Sequence, residues 1–272
     1  MAAFTRISPE VRAAVRNPAA AGPLRTLGAK VAIGDLFDVE TMALVMQGAH
    51  TLCHLAGGLA ADDEEGLIEA NLRTAEAVLA AALMAGVKRF LMLSFPGASP
   101  DANSPFLRAK GRAEEAVADS GLGYVIVRSN HVYGPESPWL GAMSAQALAK
   151  PTAIVVGEGT QMMAPVHVAD VAAVLAGADD RQGVASGIRG LNGPDLVSAD
   201  RLTDLIAGKR RMKVHLGPTA AARAARFAQR PVPVPALEIL AAQCVAEPPD
   251  AAAEFGVVLT PLRDGLAASL ER

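Results

Sequence analysis

The chain has 272 residues, enough to bury the core of one domain, or of one large and one small domain. Hydrophobic residues make up 51% and aromatics only 4%, so the core must be built from Ala, Val and Leu rather than rings. The net charge of −3 gives no reason to expect nucleic acid or anionic lipid as a partner, Cys53 and Cys244 cannot form a disulfide framework, and no apolar run approaches the roughly 20 residues of a membrane span.

In chain order, Val11 to Arg16 is expected to form a short strand closed by Asn17-Pro18, with a helix up to Gly28. Lys30 to Ile33 is a second strand leading into Gly34-Asp35-Leu36. Val39 to Gly48 has the helical spacing of Met42, Val45 and Met46. His50 to Leu55 is a third strand, ending in Ala56-Gly57-Gly58. An alanine-rich helix follows from about Glu64 to Ala85, and Gly86 suits its C-terminal cap.

The stretch from Val87 to Pro135 carries the most information. An apolar run ends in Ser94, a Pro/Gly/Asn loop follows, and a helix starts at Ser104-Pro105-Phe106 and carries Lys110. Tyr124 to Arg128 is a buried-type strand, followed by Ser129, Asn130, His131 and Tyr133-Gly134-Pro135. This is a strand–helix–strand unit of a parallel sheet. Alternating strands and helices throughout predict a doubly wound α/β fold, whose ligand groups lie at the strands' C-terminal ends. Beyond it, Trp139 to Lys150 reads as a helix, Ala153 to Val156 as a strand, and Gly157-Glu158-Gly159 as a turn. Lys209-Arg210-Arg211 with Lys213 reads as the solvated end of a helix beginning near Ala199, or as a basic docking patch. Pro231 to Pro235 reads as an extended link. His54 and His131 have no metal-ligand spacing with Cys53 or a carboxylate.

These pieces resemble the atypical short-chain dehydrogenase/reductases, and among them the NmrA-like NAD(P)-binding family. The resemblance rests on Val15-Arg16-Asn17-Pro18, Gly34-Asp35-Leu36, the Asn71 helix, Gly86-Val87-Lys88-Arg89-Phe90, Pro165 to Ala172, Leu191 to Ser198 and Leu259-Thr260-Pro261-Leu262. It implies a Rossmann-like core over 1–135 and 165–192, and a small substrate-side lobe over 136–164 and 193–272. It implies NADP, or NAD, held by Arg16, Asp35, Leu36, Ala56, Gly57, Lys110, Ser129 and Asn130. The Arg16 guanidinium suits a 2′-phosphate; a solvated strand end is the alternative. Asp35 is alternatively a turn residue, and Asn71 a structural brace for the strand after its helix.

Two departures stand out. The family opens with a strand, a glycine-rich turn and a helix that together occupy about 30 residues, whereas ten residues without glycine precede Val11. The first strand's place is then left to direct pairing of its neighbours, to Met1–Arg6, or to a truncated chain, and the missing phosphate-cradling loop is expected to weaken dinucleotide binding. In the superfamily a tyrosine one helical turn before the lysine supplies the proton. Here Phe106 occupies that position while Lys110 is kept. Losing a positioned general acid costs about 10²- to 10⁴-fold.

Ser94 and Lys110 are the expected catalytic groups. His131 and Tyr133 are weaker substitutes for the missing acid. The implied protein is a cytoplasmic oxidoreductase, monomeric or homodimeric, acting on a small apolar or quinone-like molecule. The alternative is a non-catalytic dinucleotide-sensing or partner-binding member of the same fold.

Overall fold

A computed structural model describes residues 2–8, 10–61, 63–180, 183–227 and 232–270. Among the described residues the strands in chain order are β1 Arg12–Val15, β2 Lys30–Ile33, β3 Thr51–His54, β4 Arg89–Ser94, β5 Gly123–Ser129, β6 Val132–Tyr133, β7 Ala153–Val156, β8 Met162–Met163, β9 Val166–His167, β10 Gly187–Leu191, β11 Val197–Ser198 and β12 Lys213–Leu216. The main sheet is parallel, in the order β10-β5-β4-β3.

Its central strands alternate two buried faces. Phe90 and Met92 of β4 and Ile126 of β5 point into a cluster with Ala75, Val78 and Val117 from helices Thr74–Met84 and Pro105–Ala118. Leu91, Val125 and Val127 point the other way, against Val174 of helix Val168–Asp180, Leu191 and Phe255. A parallel sheet covered by helices on both faces needs such continuous apolar runs. The doubly wound α/β architecture expected from the sequence is therefore present.

The strand at Val31 departs from expectation. It pairs with Ala13 in a separate two-stranded parallel sheet, β1-β2, while Leu52, Leu91 and Ile126 lie side by side in the main one. β1 and β3 do not pair with each other, and Phe4–Ile7, which overlaps the Met1–Arg6 segment considered for the first strand's place, is helical. Phe4 packs against the cluster around Leu91 and Val125 rather than extending the sheet. Arg12 Nη1 ties β1 to the carbonyls of Val45 and Gln47, at 2.9 and 2.7 Å, at the end of helix Val39–Met46.

A third cluster gathers Leu140 and Met143 of helix Pro138–Ala147, Val155, Leu202, Leu237 and Leu266. Within the stretch expected to form the lobe, helix Ala251–Phe255 packs instead on the main sheet's core. Pro231 lies outside the described residues, but Val234 and Pro235 open helix Val234–Ala241 rather than a link. Proline is tolerated there because the first helical N–H groups have no partner within the helix. Helix Ala199–Ala207 ends at Gly208 in a left-handed conformation, so Lys209-Arg210-Arg211 lie beyond it and Lys213 begins β12.

Candidate functional site

The C-terminal ends of β3 and β4 meet the start of helix Pro105–Ala118. Pro105 fits the first turn of that helix, where a missing N–H costs nothing. Phe106 and Lys110 lie one turn apart on its buried side. Lys110 is 6% exposed, and its Nζ donates to the Leu93 carbonyl at 3.3 Å. Gly57, in the loop after β3, has φ of 122°, a conformation that side chains rarely adopt. A Cβ there would stand 3.1 Å from Lys110 Nζ and 2.6 Å from Asn71 Oδ1. Loop, lysine and asparagine thus converge, and glycine keeps the approach open.

Asn71 sits in a π-helical turn, Glu69–Arg73, inside the long helix. Such turns reorient one side chain at a cost in regular bonding. Its Oδ1 accepts from Gly58 N at 3.0 Å, and its Nδ2 donates to the Gly58 and Leu67 carbonyls, both at 2.9 Å. The asparagine is structural, but it braces the glycine loop before its helix rather than the strand after it.

Burial pushes the Lys110 ammonium down to about 8, an effect the Glu114 carboxylate partly offsets. Burial, and secondarily the Lys110 charge, hold His54 down to about 4. At neutral pH the pair is one cation and one neutral imidazole. His54 Nε2, Ser94 Oγ and His131 Nε2 are enclosed without a hydrogen-bond partner among the described residues. Burial alone brings His131 to about 4. Unpaired buried polar atoms cost about 1–3 kcal/mol each, so several at one sheet edge single that edge out as a place for a ligand.

An aromatic wall stands beside these atoms. Phe95 meets Phe106 edge-on at 5.7 Å and His131 at 5.3 Å, and His131 stacks on Trp139 at 5.1 Å. Trp139 Nε1 is also enclosed without a partner among the described residues. Phe106 is buried with Leu67 and Ile239, the latter from helix Val234–Ala241.

The remaining expected residues lie elsewhere or are already bonded. Arg16 is exposed at the end of β1, and Asp35 accepts from Phe37 N at 3.1 Å, the turn role. Leu36 packs against the core of the main sheet's helical face, and Ala56 is half-buried in the glycine loop. Ser129 donates to the Asn130 carbonyl at 3.1 Å. Asn130 donates to Asn192 Oδ1 and to the Cys244 carbonyl and accepts from His131 N, which ties the end of β5 to two later stretches of the chain. Arg128 is held by the buried Glu114 and the Ala98 carbonyl. Sequence reasoning missed Glu114, Phe95 and Trp139. Glu114 lies four residues past Lys110 on the same helix face, so its signal was present.

A close-approach glycine, a buried ammonium bonded to the Leu93 carbonyl and a Ser94 hydroxyl without a partner among the described residues stand together at these strand ends. Among the described residues no three metal-ligating side chains gather.

The profile of the NAD(P)H-binding family matches residues 3–180. The mitochondrial NADH dehydrogenase [ubiquinone] 1 alpha subcomplex subunit 9 of Arabidopsis thaliana is 30% identical over 174 residues, which are 63% of this chain and 43% of that protein. The ceramide reductase of Caulobacter vibrioides is 32% identical over 152 residues, 56% of this chain and 47% of that one. The chain thus spans less than half the length of these curated relatives. The structure of an NADPH-dependent quinone oxidoreductase from Escherichia coli, QOR2 complexed with NADPH, superposes with a TM-score of 0.77 at 20% identity, covering 97% of this chain and 93% of that one, which shows the shared fold. On the profile match, and with the parallel sheet and the lysine helix described above, the chain belongs to the NAD(P)H-binding family of atypical short-chain dehydrogenase/reductases.

Proposed function

We propose that the chain is an NAD(P)H-dependent oxidoreductase that reduces a small apolar, quinone-like carbonyl compound at the C-terminal ends of β3, β4 and β5. The observation that supports this most is Lys110: a buried cation beside a glycine loop, with an unpartnered serine hydroxyl at the neighbouring strand end. In this reading Gly57, Ala56 and Lys110 hold the nicotinamide ribose, and Arg16, Asp35 and Leu36 flank the adenosine end. Ser129 and Asn130, bonded as they are, shape the site through the backbone. The cofactor, when bound, supplies hydride. Ser94 Oγ donates a hydrogen bond to the substrate carbonyl, and Lys110 stabilises the oxygen as charge develops there. The aromatic wall of Phe95, Phe106 and Trp139 covers the ring and excludes water.

A quinone suits a site without the tyrosine. Hydride addition to a quinone leaves a phenolate-type oxygen, whose conjugate acid has a pKa of about 10, so little is lost if no protein acid protonates it at once. The experiment is oxidation of NADPH by a simple benzoquinone, in wild type and Lys110→Ala. Turnover that falls about 10²-fold or more in the variant supports the reading. Equal turnover in both contradicts it.

The packing of Phe106 favours a second reading, a non-catalytic dinucleotide-sensing or partner-binding protein. A silent wild type in which Phe106→Tyr creates reductase activity identifies that case.

A further inference from the structure

The lobe presents a basic ridge that the reductase reading does not use. Pairing of β7 with β12 brings two chain segments together: Ala153 N donates to the Met212 carbonyl at 2.8 Å, and Arg211 Nη2 to the Ala149 carbonyl. Lys150 therefore lies beside Lys209, Arg210 and Arg211. These four cations, with Pro151 and Met212, line an open groove of about 740 Å³ that no carboxylate enters. A neighbouring groove of about 860 Å³ shares Lys209 and Arg210 and continues to Lys213 and Arg263. Its two carboxylates are engaged. Asp200 pairs with His215 at 2.9 Å, and Asp204 accepts from Lys213 at 2.7 Å and from Arg211 N at 2.9 Å. Lys150, Lys209 and Arg263 have no ion pair among the described residues.

Apolar side chains stand exposed beside these charges. Met212 is 78% exposed and Leu148, next to Ala149, is 54% exposed. We propose that this ridge docks the protein onto an anionic lipid surface, the cations meeting headgroup phosphates and carboxylates while Met212 and Leu148 enter the interface. The whole-chain charge of −3 conceals this local field, which physiological salt limits to about 8 Å. A single-stranded nucleic acid is the poorer match, because such surfaces use aromatic rings for base stacking and neither groove is lined by one.

The test is co-sedimentation of the full chain with vesicles of phosphatidylcholine alone and of phosphatidylcholine mixed with phosphatidylserine. The mixed vesicles are expected to carry the protein down and the neutral ones to leave it in solution. The double variant Lys209→Glu/Arg210→Glu should lower the bound fraction at least about tenfold, and Met212→Ser should lower it severalfold. Melting temperatures close to wild type establish that both variants fold. Excess inorganic phosphate should not displace the wild type, which separates a lipid surface from a free-phosphate site. No binding to mixed vesicles, equal binding to neutral ones, indifference to both substitutions, or displacement by phosphate, RNA or an acidic peptide overturns the proposal. The outcome is independent of whether the chain reduces quinones.

Discussion

At the scale of single residues, the proposed reaction turns on Lys110, whose burial also ties stability to pH. Its proton leaves near pH 8 in the fold, against 10.5 ordinarily. Between those values the unfolded chain holds a proton that the folded one has shed, so stability rises with pH across this window. Denaturant midpoints should therefore climb from pH 8 toward 10.5 in wild type relative to Lys110→Met, where that gain is absent. In turnover the sign is opposite: if the cation stabilises the developing oxyanion, kcat/KM falls above pH 8, and Lys110→Arg moves the fall to higher pH. His54 and His131 work at the other end. Both sit near 4 against 6.5, so stability is lost as pH drops from 6.5 toward 4. His131→Phe, which keeps a ring against Trp139, should flatten part of that loss in melts taken across the window.

At the scale of elements, the glycine loop and the lysine helix are each fixed by one polar arrangement. Asn71→Ala removes the two hydrogen bonds that Asn71 makes with Gly58 N and its carbonyl across the loop, and should cost about 1–3 kcal/mol in urea denaturation while weakening NADPH binding. Arg128→Met leaves the Glu114 carboxylate buried without its guanidinium, a change that costs about 3–5 kcal/mol where such pairs are broken. The sequence made these elements readable to different degrees. The strand ending in Ser94 and the helix of Lys110 were plain, because an apolar run, a loop and a helical period follow one another without ambiguity. The structural part of Asn71 was legible, but its target was expected in the strand after its helix and is Gly58 before it, since a π turn leaves no mark in composition. From its place after β5, the sequence marks the Asn130 side chain as a ligand group. Its bonds go to Asn192 and Cys244, residues far along the chain that local pattern does not place. Pro235 looked like a link because proline usually interrupts; at the first turn it starts a helix.

At the scale of the whole molecule, the first two strands form a parallel pair apart from the main four-stranded sheet. β1-β2 shares no strand pairing with β3, and its tie to the rest runs through the helix Val39–Met46 and the Arg12 contacts. Amides of Ala14 and Ala32 should exchange with deuterium well before those of Leu91 and Ile126, which sit between paired strands and two buried faces. Alternation of strand and helix made the fold class legible from sequence. The splitting of the sheet was not legible, because spacing along the chain says which segments are strands and not which edges find a neighbour.

The central claim is that a reduced dinucleotide binds where Gly57 and Lys110 meet. Titration of NADPH into wild type and Lys110→Ala, followed by calorimetry, tests it most directly. A saturating isotherm for wild type and a Kd weakened by about tenfold or more in the variant, about 1.4 kcal/mol, is the predicted result. Indistinguishable isotherms for the two proteins would contradict it.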